Sequence, residues 1–180
     1  VRDRPYEVVT HGHSGARVLR YLDGSGYLKS ADDPAAADLI DAERDRLLWL
    51  RSRGVPVPEV LDAGRGWLHT AVAPGRPASD PWPPSERDRV VTIVGKTLRW
   101  LHSLDPAGCP FGAGPVVGHG DYCLPNVLIS ADDSVHLIDV GRAGRLDPSV
   151  DIEDCLQSIR GPLNPQFDDS HAQRFLAAYG

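Results

Sequence analysis

The sequence predicts an α+β chain in two lobes: a small antiparallel sheet with one helix over residues 1–75, then a mostly helical lobe over residues 76–180. Three observations predict it. Residues 6–30, "YEVVTHGHSGARVLRYLDGSGYLKS", alternate in polarity and are broken by Gly-rich turns at 12–15 and 23–26, as hairpin-linked strands are. Residues 34–53 and the stretch after Ser85 repeat apolar residues at helical spacing. Between them "PASDPWPPS" carries four prolines, which regular structure does not accept, and it is read as the link between the lobes.

Each element has its own signal. In the first helix Leu39, Ile40, Leu47, Leu48 and Leu50 recur near helical spacing, and Gly54 stops it. "VPVPEVLDAG" and "GWLHTAVAPG" read as two further strands with prolines at their edges. Ser85 with Asp88 resembles a capping box. It opens a helix whose stripe is Val90, Val91, Val94, Leu98 and Leu101. "VVGHGDYCLPNVLIS" and "SVHLIDVGRAG" make a loop, a strand, a turn and a second strand. Residues 151–160 and 170–179 read as helices, and the four tryptophans as packing residues.

The bulk numbers narrow the classes. A chain of 180 residues, 41% hydrophobic and 24% charged, is ordinary for a globular protein. The net charge of −6 argues against nucleic acid, which calls for a basic patch. It suits a cationic ligand. Three cysteines without metal-ligand spacing argue against a disulfide framework or a zinc site, so a cytoplasmic location is expected. No run is apolar and long enough for a membrane span, and nothing indicates a protein partner. The chain holds no methionine and stops at "RFLAAYG" inside an expected helix, so it is expected to be shorter than the full translation product.

The chemistry concentrates in "HGDYCLPNVLI", residues 119–129. Asn126 precedes the apolar "VLI" and Asp139 follows the apolar "HLI". A hairpin through "SADDS" therefore brings Asn126 and Asp139 to one edge. An amide oxygen and a carboxylate there suit a hard cation such as Mg²⁺. Asp121, on the loop leading in, is placed to address a substrate hydroxyl, which is the arrangement phosphoryl transfer needs. "THGHSGARV" offers backbone N–H groups at Ser14, Gly15 and Ala16 to phosphates. Lys29 adds a point charge, and Glu43 on the next helix is placed to pair with it. An adenine would meet the backbone at Thr70, Ala71 and Ala73. Taken singly, each feature has a plainer reading: a hairpin turn, a solvated lysine, a helix-surface charge, a loop bonding its own backbone. Together they appear in one order on the expected kinds of element. His102 and His119 are read as structural, Asp151 as stabilising the second lobe, and Arg142 as either orienting substrate or pairing with a carboxylate.

These motifs resemble the aminoglycoside phosphotransferases, small-molecule kinases that share the protein-kinase fold. "HGDYCLPNVLI" is similar to the family's catalytic loop, H-G-D-x-x-x-x-N. "LIDVGRAGRLDPSVDIEDCLQSIR" resembles its metal-binding segment and following helix. "HSGARVLRY", "GYLKS", "AERDRLLWL", "VPVPEVLD" and "LRWLHSL" follow in the family's order. The likeness is closest to enzymes acting on a 3′-hydroxyl. It implies a bilobal protein-kinase-like fold and transfer of the γ-phosphate of ATP or GTP to a cationic, hydroxylated small molecule. Asp121 would then be the catalytic base, Asn126 and Asp139 magnesium ligands, and Lys29 with Glu43 the phosphate-gripping pair. Gly120 stands where protein kinases carry Arg, and no A-P-E segment follows "DVG", which disfavours a protein acceptor. Three departures fall on the acceptor side. Only a few residues join "CPF" to "HGD", Gly161 and Pro162 stand where the family has acidic residues, and the family's last helices are not in the sequence. A metabolite kinase of the same fold, acting on choline, homoserine or a sugar, is the first alternative; a non-catalytic nucleotide-binding relative is the second.

Overall fold

The computed structural model describes residues 4–9 and 16–180. The chain divides into two compact units, one ending at Ala73 and one spanning Pro74–Gly180.

The first unit holds five strands and one helix: β1 (Tyr6–Val9), β2 (Ala16–Tyr21), β3 (Tyr27–Ala31), α1 (Pro34–Ser52), β4 (Val60–Gly64) and β5 (Trp67–Thr70). The sheet order is β1-β2-β3-β5-β4, with every neighbour antiparallel. Pleating turns successive residues of β3 to opposite faces. Leu28 joins Leu19, Tyr21 and Trp67 in one apolar cluster, while Lys29 between them in register, opposite Val18 and Leu68, points the other way. The Asp33 side chain caps α1 by accepting from the Ala36 N–H at 2.9 Å, and Pro34 occupies the first turn. The helix packs on β3, β4 and β5 through Ala36, Ala37, Ile40, Leu47 and Leu50. Each such leucine or isoleucine contributes roughly 1.5–3 kcal/mol by burial. Leu39 and Leu48 of the expected stripe are exposed.

The second unit is built on α2 (Pro84–His102), α3 (Pro148–Arg160) and α4 (Asp169–Tyr179). The expected α2 stripe, Val90, Val91, Val94, Leu98 and Leu101, is fully buried. It packs chiefly on α4. At Gly95 an added Cβ would stand 2.5 Å from the Phe175 carbonyl oxygen, so that close approach requires glycine. Two small ladders complete the unit: β6 (Arg76–Pro77) with β8 (Val127–Ile129) and β9 (Val135–Leu137), and β7 (Val116–Gly118) with β10 (Gly144–Leu146).

Three local expectations are corrected. Residues 77–85 do not link the units. They belong to the second one, where Ala78 donates to the Val127 carbonyl at 2.8 Å and Trp82 is buried with its indole N–H on the Pro77 carbonyl. Ser85 is not a cap: Pro83 and Pro84 set the entry to α2, which puts Ser85 inside the first turn with no side-chain cap. A capping box occurs instead at Asp168 and His171, at the start of α4. Trp100 is not a core residue either, being 39% exposed, because it stands off the buried α2 stripe.

Candidate active site

Both small ladders feed the loop 119–126. In the β8–β9 hairpin Val127 faces Leu137 and Ile129 faces Val135. The turn closes through Ser130 and Asp133, the latter in the left-handed region at φ 66°. The far ends meet as the hairpin reading requires: the Ile138 N–H donates to the Asn126 carbonyl at 3.0 Å. In the other ladder Gly118 faces Gly144, so residues 119–121 run on beside residues 141–143. At Gly120, φ is 77° and an added Cβ would stand 2.5 Å from the Arg142 carbonyl oxygen. The left-handed backbone and this close contact together demand glycine there.

The loop brings Asp121 and Asn126 together. The Asn126 amide donates through Nδ2 to the Asp121 carbonyl at 3.0 Å and reaches its carboxylate at 3.4 Å. Asn126 is buried at 6% exposure. Its bonded Nδ2 fixes the amide plane and leaves Oδ1 as the oxygen able to meet a cation. Asp139 follows Ile138 on the adjoining chain, exposed and held at φ 56°. One amide oxygen and one carboxylate fit Mg²⁺, which takes few protein oxygens and keeps waters and phosphates. Among the described residues no group of three or more His, Cys, Asp or Glu side chains is placed to hold a metal ion.

The loop is held from outside by a residue whose placement sequence reasoning left vague. Asp151, completely buried on α3, accepts from the backbone N–H of His119 at 2.8 Å and of Gly120 at 2.7 Å. Its Oδ2 also accepts from His102 Nε2 at 3.0 Å, and His102 Nδ1 meets the Tyr179 hydroxyl at 2.9 Å. His102 and His119 are thus structural, as expected. His119 donates Nε2–H to the Ile138 carbonyl at 3.0 Å, and burial pushes its pKa down, keeping the ring neutral. A sequence signal for Asp151 existed: it shares a buried stripe with Cys155 and Ile159 at four-residue spacing. A carboxylate on such a stripe must be hydrogen-bonded. Further along α3, Ser158 Oγ accepts from the Leu124 N–H at 3.1 Å.

The two thiols nearest the loop are held protonated by their surroundings. Burial, with the Asp121 carboxylate adding to it, pushes the Cys123 thiol up to about 12. Burial also raises Cys155 well above its usual range. Neither is a thiolate at neutral pH. Arg142 is exposed and lies against the loop through its backbone at Gly120.

In the first unit the Lys29 ammonium meets both Glu43 carboxylate oxygens, at 2.7 and 2.9 Å, with side chains 23% and 12% exposed. β3 and α1 therefore bring together two residues read from separate motifs. Ala16 opens β2, whereas Ser14 and Gly15 lie outside the described residues. Thr70 ends β5, and Ala73 ends the unit. Ala71 already donates its N–H to the Glu59 carbonyl at 2.9 Å, so its amide is not available to an adenine.

Comparison with known proteins agrees over nearly the whole chain. Residues 5–114 and 112–180 match the phosphotransferase enzyme family, in two pieces that meet at 112–114. An aminoglycoside 3′-phosphotransferase of Streptomyces ribosidificus is 32% identical over 97% of this chain and 88% of its own. That alignment runs over 234 residues against a chain of 180, so the relative carries internal residues with no counterpart here. The solved structure of the aminoglycoside phosphotransferase APH(3″)-Id of Streptomyces rimosus superposes with a TM-score of 0.83 at 29% identity, covering 99% of this chain and 87% of that one. A ternary complex of APH(2″)-IIa with streptomycin and ATP shares the fold alone, with a TM-score of 0.75 at 12% identity over 98% of this chain and 78% of that one.

Proposed function

As a member of the phosphotransferase enzyme family, the chain, we propose, moves the γ-phosphate of ATP or GTP to a hydroxyl of an aminoglycoside. The observation that carries this reading is the Asp121–Asn126 pair. A carboxylate stands on a loop whose backbone is pinned by Asp151, with an amide locked beside it and Asp139 on the adjoining chain. The similarity to the S. ribosidificus enzyme supports the acceptor class. Likeness to both a 3′ and a 3″ enzyme leaves two hydroxyl positions in play.

Asp121 is assigned to hold the acceptor hydroxyl and take its proton as the oxygen attacks phosphorus, a role that contributes about 10²- to 10⁴-fold. Asn126 and Asp139 would hold Mg²⁺, which when bound neutralises charge on the phosphate oxygens. Lys29, aimed by Glu43, adds a cation to the phosphates, and the backbone of Ser14, Gly15 and Ala16 is assigned to cover them. The backbone of Thr70 and Ala73, and that of Ala71 through its carbonyl, is assigned to the base, and Arg142 to the acceptor side. On this reading residues 1–75 bind nucleotide and residues 76–180 carry catalysis and the acceptor. Most of the rate gain comes from positioning and charge stabilisation.

The test is Asp121→Asn. Phosphate transfer to neomycin or streptomycin should fall at least 10²-fold while ATP affinity stays within about twofold. Full turnover in the variant removes Asp121 as the base. Choline, homoserine and a neutral sugar belong in the same acceptor panel. Preference for one of them would move the chain to a metabolite kinase.

A further inference from the structure

We propose that Asp154 is a specificity-determining residue of the acceptor site, its carboxylate receiving an ammonium group of the acceptor beside Asp121. The inference rests on the aminoglycoside reading above and adds to it a residue that no motif singled out.

The placement comes from the course of α3 along the loop. Asp151 accepts from the N–H groups of His119 and Gly120, and Ser158 accepts from that of Leu124. Residues three and four apart share a helix face. Asp154 lies three residues after Asp151 and four before Ser158, so it stands on the face that tracks the loop, opposite its middle, residues 121–123. The two hydrogen-bonded neighbours fix α3 against the loop on either side of it.

Its surroundings leave the carboxylate short of a counter-charge. Asp154 is half-buried, yet it makes no hydrogen bond and no ion pair within 4.0 Å among the described residues. Burial and then the charges of Asp121 and Asp151 push its pKa up, with Arg142 opposing from beyond ion-pair distance. A partly desolvated carboxylate without a partner is a standing cost that a cation removes. Asp151 spends its charge on the loop amides and His102 and does not serve that need. Aminoglycosides supply ammonium groups within one or two sugar rings of a reacting hydroxyl. A cation seated at Asp154 would therefore bring a neighbouring hydroxyl to Asp121, a positioning effect of the kind that sets acceptor KM.

The experiment compares wild type, Asp154→Asn and Asp154→Glu in steady-state phosphorylation of the best aminoglycoside of a panel, across a range of NaCl. Asp154→Asn should raise the KM for the aminoglycoside about tenfold, equivalent to ~1.4 kcal/mol. It should leave the KM for MgATP within about twofold and flatten the salt dependence of the aminoglycoside KM, while Asp154→Glu restores much of the wild-type value. An unchanged aminoglycoside KM in Asp154→Asn, with an active wild type, overturns the assignment of Asp154 alone. A parallel rise in the KM for MgATP or in the Mg²⁺ requirement overturns it in favour of a metal-side or structural role. A wild type that phosphorylates no aminoglycoside overturns the functional reading itself, and the Asp154 assignment with it.

Discussion

The hold of α3 on the catalytic loop makes Asp151→Asn the sharpest perturbation available. Three donors converge on a carboxylate that solvent does not reach: the amides of His119 and Gly120 and the His102 imidazole. His119 and His102 share Oδ2, and Gly120 uses Oδ1 alone. The least costly pose of asparagine keeps its oxygen on the shared side and turns its NH₂ toward the Gly120 amide. That sets donor against donor where 2.7 Å separates a bonded pair. The loss is one charge-assisted bond, about 1.5–3 kcal/mol, and it leaves a buried donor unsatisfied. Part of each penalty is the same lost contact, so the total is about 2–4 kcal/mol. For a chain of this size ~3 kcal/mol lowers Tm by roughly 6–12 °C. A loop displaced by about 1 Å can cost on the order of 10²-fold in rate, so kcat should fall about 10- to 100-fold, with the KM for ATP nearly fixed. Urea unfolding and steady-state phosphorylation of an aminoglycoside read the two effects. An unfolding free energy within about 0.5 kcal/mol of wild type, together with a kcat within about twofold, would refute the claim that Asp151 aims the loop.

Two further outcomes follow from other parts of the chain. Lys29→Met should raise the KM for ATP and lower kcat, together costing kcat/KM at least about tenfold, and Glu43→Gln should do so to a lesser degree. Wild-type ATP kinetics in Lys29→Met would remove the pair from phosphate binding. The raised Cys123 thiol also has a consequence at alkaline pH. The folded chain holds this proton up to about 12, whereas an unfolded thiol releases it near 8.5. Its contribution to stability is therefore complete below about pH 8.5 and is lost as pH rises toward 12. Cys155 and Tyr122, both raised by burial, act in the same direction. The urea midpoint followed from pH 8 to 11 should fall less steeply in Cys123→Ser. Identical slopes in the two proteins would show that this thiol is not what is being titrated.

Legibility in the sequence followed the range of the physical signal. The α2 stripe was readable because five apolar residues at helical spacing leave one burial mode, and all five are buried. The meeting of Asn126 with the chain before Asp139 was readable because an antiparallel hairpin fixes which ends adjoin. The Lys29–Glu43 contact needed only a strand followed by a helix. What was missed depends on tertiary partners. Residues 77–85 look like a linker by proline content, but Trp82 is buried, and no local rule says where a tryptophan finds its cover. Ser85 has the spacing of a capping box, yet two prolines before it decide where the helix begins. Asp154 carries no motif at all; its interest comes only from being carried against the loop between Asp151 and Ser158.

The short join before the catalytic loop bears on where acceptor recognition can reside. Phe111 and Gly114 offer their carbonyls to Arg145, to its amide at 2.8 Å and its Nε at 2.9 Å, and the Ala113 amide returns a bond to the Arg145 carbonyl at 3.2 Å. The chain between α2 and β7 is thus stitched along β10 and projects no helix of its own. The family match breaks at these same residues, and the S. ribosidificus alignment contains internal residues absent here. Whatever those residues contribute in the relative, the backbone of Phe111, Ala113 and Gly114 is committed to Arg145 here. On the aminoglycoside reading, an acceptor's cationic groups meet what stands beside Asp121. Within the second unit that is the exposed turn at Arg142, of the wrong sign, and the loop-facing side of α3, where Asp154 is the carboxylate without a partner among the described residues.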